Sequence, residues 1–238
     1  MFKFLKMWIG IILLPLCWGS SQAVYSLYQL SNGSSEAHLS GWAFPIGFIT
    51  WCALFFLLPR PTQIYVFGHE LTHALWALIM GGRVGKMKVG KEGGHVEVSK
   101  SNFIITLAPY FFPFYTFIVI AIYAITGIWT DTQPYLDWWI GAIGFTWAFH
   151  ITFTIHMLSQ ATQPDIQEHG IIFSYTVIYF INILLIGVWI TTLNSPRFSE
   201  FGDLLIQKNR STYLASFQRL ESGVQWWKNK TVEKEKGK

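Results

Sequence analysis

Residues His69-Glu70-Leu71-Thr72-His73 form an H-E-x-x-H pattern inside a stretch, 61–82, that holds no other charged residue. Side chains four apart on a helix lie one above the other, so both imidazoles face one side and can share one Zn²⁺. Glu70 stands beside them, placed to take a proton from a water molecule at that metal. It is also the only acidic residue in the middle of any apolar segment of the chain. A carboxylate in such a setting is costly and marks a functional site with a partner. A metal cation supplies that partner, because it holds nearby carboxylates ionised. Two histidines and a glutamate that only hydrogen-bond to neighbouring helices would leave the cost of burial unanswered.

A catalytic zinc takes three protein ligands and leaves the fourth position for water. Few residues qualify as the third. Asp165 lies in Thr162-Gln163-Pro164-Asp165-Ile166-Gln167-Glu168-His169-Gly170, with Glu168 and His169 beside it. His150 and His156 share one apolar segment but are six residues apart, so they sit on different faces of a helix. Asp165 and the two histidines all stand open as the third ligand. His95 reads as a polar hairpin residue near a bound substrate.

The elements that must position these groups are membrane helices. Of the 238 residues 52% are hydrophobic, 18% aromatic and only 13% charged, against about 25% charged in an ordinary soluble domain. No Asp, Glu, Lys or Arg occurs in 7–35, 37–59, 101–130, 138–164 or 169–196. Each run reaches or exceeds the roughly 20 residues that cross a bilayer. The expected fold is an all-α polytopic membrane protein with about six transmembrane helices, near 7–28, 42–58, 63–80, 103–128, 138–160 and 171–193. The first is read as an uncleaved span. Cys17 and Cys52 fall in apolar segments and read as core thiols.

Residues 81–100, GGRVGKMKVGKEGGHVEVSK, differ from the rest. Valines and Met87 alternating between Gly pairs predict a short β-hairpin insertion after the HELTH helix. Gly81-Gly82 and Gly93-Gly94 serve either turn geometry or a close backbone approach to a bound peptide. The stretch 197–238 is polar with spaced apolar residues and predicts an amphipathic helix on the membrane surface. Three regions follow: two N-terminal segments in 1–62, a membrane core in 63–193 and the polar tail in 194–238. The net charge of +4 comes largely from that tail. It suits an anionic lipid surface and calls for no nucleic acid. With the N-terminus inside, twelve Lys and Arg lie on the inner side and five, all in 81–100, on the outer.

The chain resembles the site-2 protease family of intramembrane zinc metallopeptidases over roughly residues 63–193. The resemblance rests on FGHELTHALWALIMGGRV (67–84), the Gly-rich β-like stretch, a helix opening with LAPYFFP (107–113), and an Asp-bearing loop before another apolar helix. It implies that His69 and His73 bind zinc, that Glu70 is the base and that Asp165 is the third ligand. It also implies cleavage of membrane-protein or peptide substrates in or near their transmembrane segments, with the β-like stretch offering an edge strand. The Asp stands in Q-P-D-I-Q-E-H-G and not in an L-D-G setting. Two apolar segments, where the family usually has one, separate it from the HELTH helix. If both cross fully, Asp165 emerges at the far end of that helix, while His73 lies only about 15 Å along it. A re-entrant or Pro-broken segment at Pro109 and Pro113 would close the gap.

The expected function is membrane-embedded zinc-dependent proteolysis, in what reads as a bacterial inner (cell) membrane. A non-proteolytic zinc-binding scaffold or transporter subunit is the rival. A zinc enzyme acting on a lipid-linked molecule is a third possibility.

Overall fold

The computed structural model describes residues 2–33, 42–90, 93–160, 163–193 and 196–236. Lys91, one of the outer-side basic residues, and Lys238 of the tail lie outside them. The element order is α1 (Phe2–Gly33), α2 (Ala43–Leu57), α3 (Thr62–Ile79), β1 (Val84–Val89), β2 (Gly94–Val98), α4 (Phe103–Phe111), α5 (Phe114–Trp129), α6 (Leu136–Leu158), α7 (Pro164–His169), α8 (Ile171–Leu193) and α9 (Phe198–Lys236). A 3₁₀ turn, Gln133–Tyr135, leads into α6. Among the described residues the protein is therefore almost wholly helical, with one small antiparallel sheet.

Three of the described helices are long and apolar enough to cross a membrane: Lys3–Ser31, Gln133–Leu158 and Ile171–Leu193. The pair α4 and α5 adds a fourth span if counted as one, but it is bent by 74°. The bend falls where a Pro-broken segment is expected. Phe112 precedes Pro113 and takes an extended conformation (φ −98°, ψ 104°), as steric conflict with a following proline ring demands. α2 is apolar but has only 15 residues. At 1.5 Å per residue that is about 22 Å, short of a full hydrocarbon core. The sequence reading counts α2 and α3 with these to reach six.

The chain divides into two compact units, 37–174 and 1–36 with 175–238. In the first, α2 packs along α6. Gly47 and Gly144 let the two backbones meet: a Cβ on Gly47 would run into the Gly141 carbonyl, and one on Gly144 into the Phe44 carbonyl. Small residues at such a crossing are how membrane helices gain close contact. Around it, Trp51, Phe55, Tyr65, Phe149 and Phe153 form an aromatic core. Trp51 donates its indole N–H to Thr152 Oγ1 at 2.8 Å, which satisfies the one polar atom of that ring.

In the second unit α1 and α9 lie side by side. Phe201 is buried with Val24 and Leu27, and Leu204 and Leu205 pack against the same cluster. The first apolar residues of the tail thus face protein, and α9 is one continuous helix of 39 residues. Phe217, Leu220, Trp226 and Trp227 farther along are exposed. Both cysteines are free, Cys17 buried and Cys52 partly so.

The hairpin pairs Met87 with Val96, Lys88 with His95 and Val89 with Gly94, with an irregularity between Val84 and Met87. Val96 is buried while His95 and Glu97 are exposed, the alternation of a strand with one face on protein. That face lies on α3.

Candidate metal centre

α3 runs from a Pro61 N-cap to the Gly81-Gly82 turn, and Gly81 ends it with φ +71°, a conformation that favours glycine. His69 and His73 project from one face, their rings 4.9 Å apart. α7 brings Asp165 to them. Its Oδ2 lies 3.3 Å from His69 Nε2 and 3.5 Å from His73 Nε2. One ligand atom from each of the three residues lies within 4.8 Å of the other two. Donors bound at about 2.0–2.1 Å to a tetrahedral ion stand roughly 3.4 Å apart, so the two measured edges fit zinc.

The supports of these groups explain their aim. His73 donates Nδ1–H to the Ile105 carbonyl at 2.9 Å, which leaves the Nε2 lone pair for a metal. Ile105 lies four residues before Pro109 within α4, and a helical carbonyl ordinarily accepts from the N–H four residues on. Proline has no N–H, so this carbonyl is free for the histidine. Tyr110, also on α4 and fully buried, donates its hydroxyl to Asp165 Oδ2 at 3.0 Å. α7 in turn is fixed by Gly170, whose φ of +93° suits only glycine and allows α8 to begin at once. Burial alone would push the Asp165 carboxyl up, but hydrogen bonds and charge from His69 and His73 outweigh it and hold the group well below the usual carboxylate range.

Glu70 is 6% exposed. Gly94 of β2 stands directly over it: a Cβ there would lie 2.7 Å from Glu70 Cγ and 2.9 Å from Glu70 Oε1. The three cluster residues and Glu70 open into a cleft of about 510 Å³ whose other wall includes residues 93–96 and Val98. Of the histidines considered for the third ligand position, neither His150 nor His156 joins the cluster. His156 sits against Phe55 and Phe153, its Nε2 3.2 Å from the Gln160 side chain. His150 is buried on α6. His95 and Glu168 line the cleft, while His169 is buried.

Residues 42–157 match the family described as Peptidase M50B-like, which is the site-2 protease family. No curated protein and no solved structure matches the chain. The matched segment contains α3, the hairpin and the broken α4–α5 pair, and the apolar helices are those of an integral membrane protein. Asp165 lies beyond the matched residues, so its part in the cluster rests on geometry.

Sequence reasoning passed over Tyr110 and the Ile105 carbonyl. The carbonyl carried a signal, since a proline inside a helix always frees the acceptor four residues earlier. Tyr110 carried none, because its partner is 55 residues away.

Proposed function

We propose that the chain is an intramembrane zinc metalloprotease that hydrolyses peptide bonds in or near the transmembrane segments of membrane proteins. The observation that carries the reading is the convergence of His69, His73 and Asp165 beside buried Glu70, in a cleft walled on one side by a β-strand. His69 Nε2, His73 Nε2 and an Asp165 oxygen would hold the ion. When bound, Zn²⁺ brings the pKa of a coordinated water towards neutrality and polarises the scissile carbonyl. Glu70 takes the proton of the attacking water and passes it to the leaving amide nitrogen. Tyr110 keeps Asp165 turned towards the histidines, and the Ile105 carbonyl keeps His73 in the tautomer that binds through Nε2.

A helical peptide bond is shielded by its own hydrogen bonds, so the substrate must unwind. β2 offers an extended template along the cleft, and strand pairing with the hairpin would hold an unwound segment. All six apolar segments cross the membrane in this reading, α2 and α3 included, and the membrane is a bacterial inner membrane.

The test is Glu70→Gln. It keeps the shape of the side chain and removes the base. Cleavage of a single-span membrane protein that the unaltered enzyme processes should fall below detection, with membrane insertion and zinc content unchanged. An unaltered cleavage rate in that variant would overturn the assignment.

A further inference from the structure

The two zinc-ligand histidines are supported unequally. His73 has the Ile105 carbonyl behind it, whereas His69 Nδ1 is buried with no hydrogen-bond partner in the protein. A ligand histidine almost always donates its other N–H to a carboxylate, a carbonyl or a water, which fixes both tautomer and ring orientation. An orphaned buried donor would cost about 1–3 kcal/mol.

His69 borders a second, much smaller cavity of about 20 Å³. One water needs about 10–15 Å³ measured in this way, so the space holds one. Its walls are mostly apolar, from Pro109, Phe112, Phe114 and Phe149 among others, and the one other histidine on them is His150. His150 is 6% exposed, and its Nε2 is likewise buried without a partner. The Tyr110 backbone is a hydrogen-bond partner of the His150 ring, and with Nε2 unpartnered that role falls to Nδ1. Tyr110 is next to last in α4, where the 74° break removes the N–H that would otherwise cap its carbonyl. With Nδ1–H donated there, His150 Nε2 is an acceptor.

We propose that His150 is a positioning residue for the metal centre: a single water in the small cavity accepts from His69 Nδ1–H and donates to His150 Nε2. This locks His69 in the tautomer that presents Nε2 to the ion. His150, which the sequence offered as an alternative ligand, thus acts one step behind the ligand. The inference rests on the zinc site proposed above and not on proteolysis.

The experiment measures zinc affinity of the full-length protein in detergent by competition with a chromophoric chelator, with no substrate present. His150→Leu, which fills the site and accepts no hydrogen bond, and His150→Met, whose thioether accepts only weakly, should bind zinc about 10–100-fold more weakly. His150→Gln keeps an acceptor oxygen and should restore most of the affinity. Thermal unfolding of the metal-free variants identifies any that fail to fold, and Met serves where Leu does. Unchanged affinity in the apolar variants would overturn the proposal, as would a Gln variant as weak as they are. A protein that binds zinc with this dependence but cleaves nothing would refute only the proteolytic reading.

Discussion

Gly94→Ala adds one methyl group beside the candidate general base, and the structure sets the size of the effect. The new Cβ would stand 2.7 Å from Glu70 Cγ, 2.9 Å from Glu70 Oε1 and 2.7 Å from Val66 Cγ1. Carbon atoms in comfortable contact are about 3.5–4.0 Å apart, so Glu70 must move by roughly 1 Å. The backbone at Gly94 is free of the left-handed conformation, which among the described residues only Gly81, Gly93 and Gly170 adopt. Alanine therefore fits the chain and conflicts only with α3. A displacement of about 1 Å in a catalytic group costs on the order of 10²-fold in rate, or about 2.7 kcal/mol of barrier. The assay is kcat on a single-span substrate reconstituted in liposomes, with zinc measured in the same sample. The expected result is a fall in kcat of about a hundredfold with full zinc occupancy, because the atoms nearest the added methyl belong to Glu70 and Val66 and not to either histidine. If the hairpin gives way instead, KM rises while kcat stays. An unchanged kcat would refute the claim that β2 sets the position of Glu70.

Two more substitutions test the framework, beside those of Glu70 and His150. Pro109→Ala restores an N–H that competes for the Ile105 carbonyl; zinc affinity should drop about tenfold or more as His73 loses its acceptor, while the α4 helix itself becomes more regular. Chelator competition measures this, and an affinity equal to that of the unaltered protein would contradict the role given to the proline. Gly144→Val forces α2 from α6 at the Phe44 carbonyl and should cost about 1–3 kcal/mol or more, read as a lower unfolding midpoint in detergent. An unaltered midpoint would mean that the two helices do not depend on that contact.

Local chemistry made much of this legible. The HELTH helix was bounded by Pro61 on one side and a glycine pair on the other, both strong signals, and it runs Thr62–Ile79. Alternating valines in 84–98 predicted a hairpin that is there. Gly93 and Gly94, read as turn or close approach, divide these roles. Gly93 has φ +146°, while Gly94 admits Glu70 of the protein's own helix in place of a substrate. The approach of Asp165 was not legible, because it joins residues 96 apart and no local rule spans that distance. Nor was the inward face of the early tail, where Phe201 joins Val24 and Leu27. A helix that packs on protein and one that lies on lipid carry the same amphipathic pattern.

The broken span connects these points. A continuous helix crossing at 103–129 would satisfy its interior carbonyls and offer the site nothing polar. Pro109 and the bend before Pro113 leave the Ile105 and Tyr110 carbonyls without helical partners in an apolar interior, and an unpaired buried carbonyl is tolerated only when another group bonds it. Ile105 takes His73, and Tyr110 takes His150. The same short helix sends the Tyr110 hydroxyl to Asp165. Two prolines thereby turn a membrane segment into a source of acceptors at the depth where His69 and His73 stand. On this argument a proline-free segment of equal hydropathy in place of 103–113 would still insert into the membrane. It would lose zinc affinity through both histidines at once, and the loss should exceed that of either Pro109→Ala or His150→Leu alone.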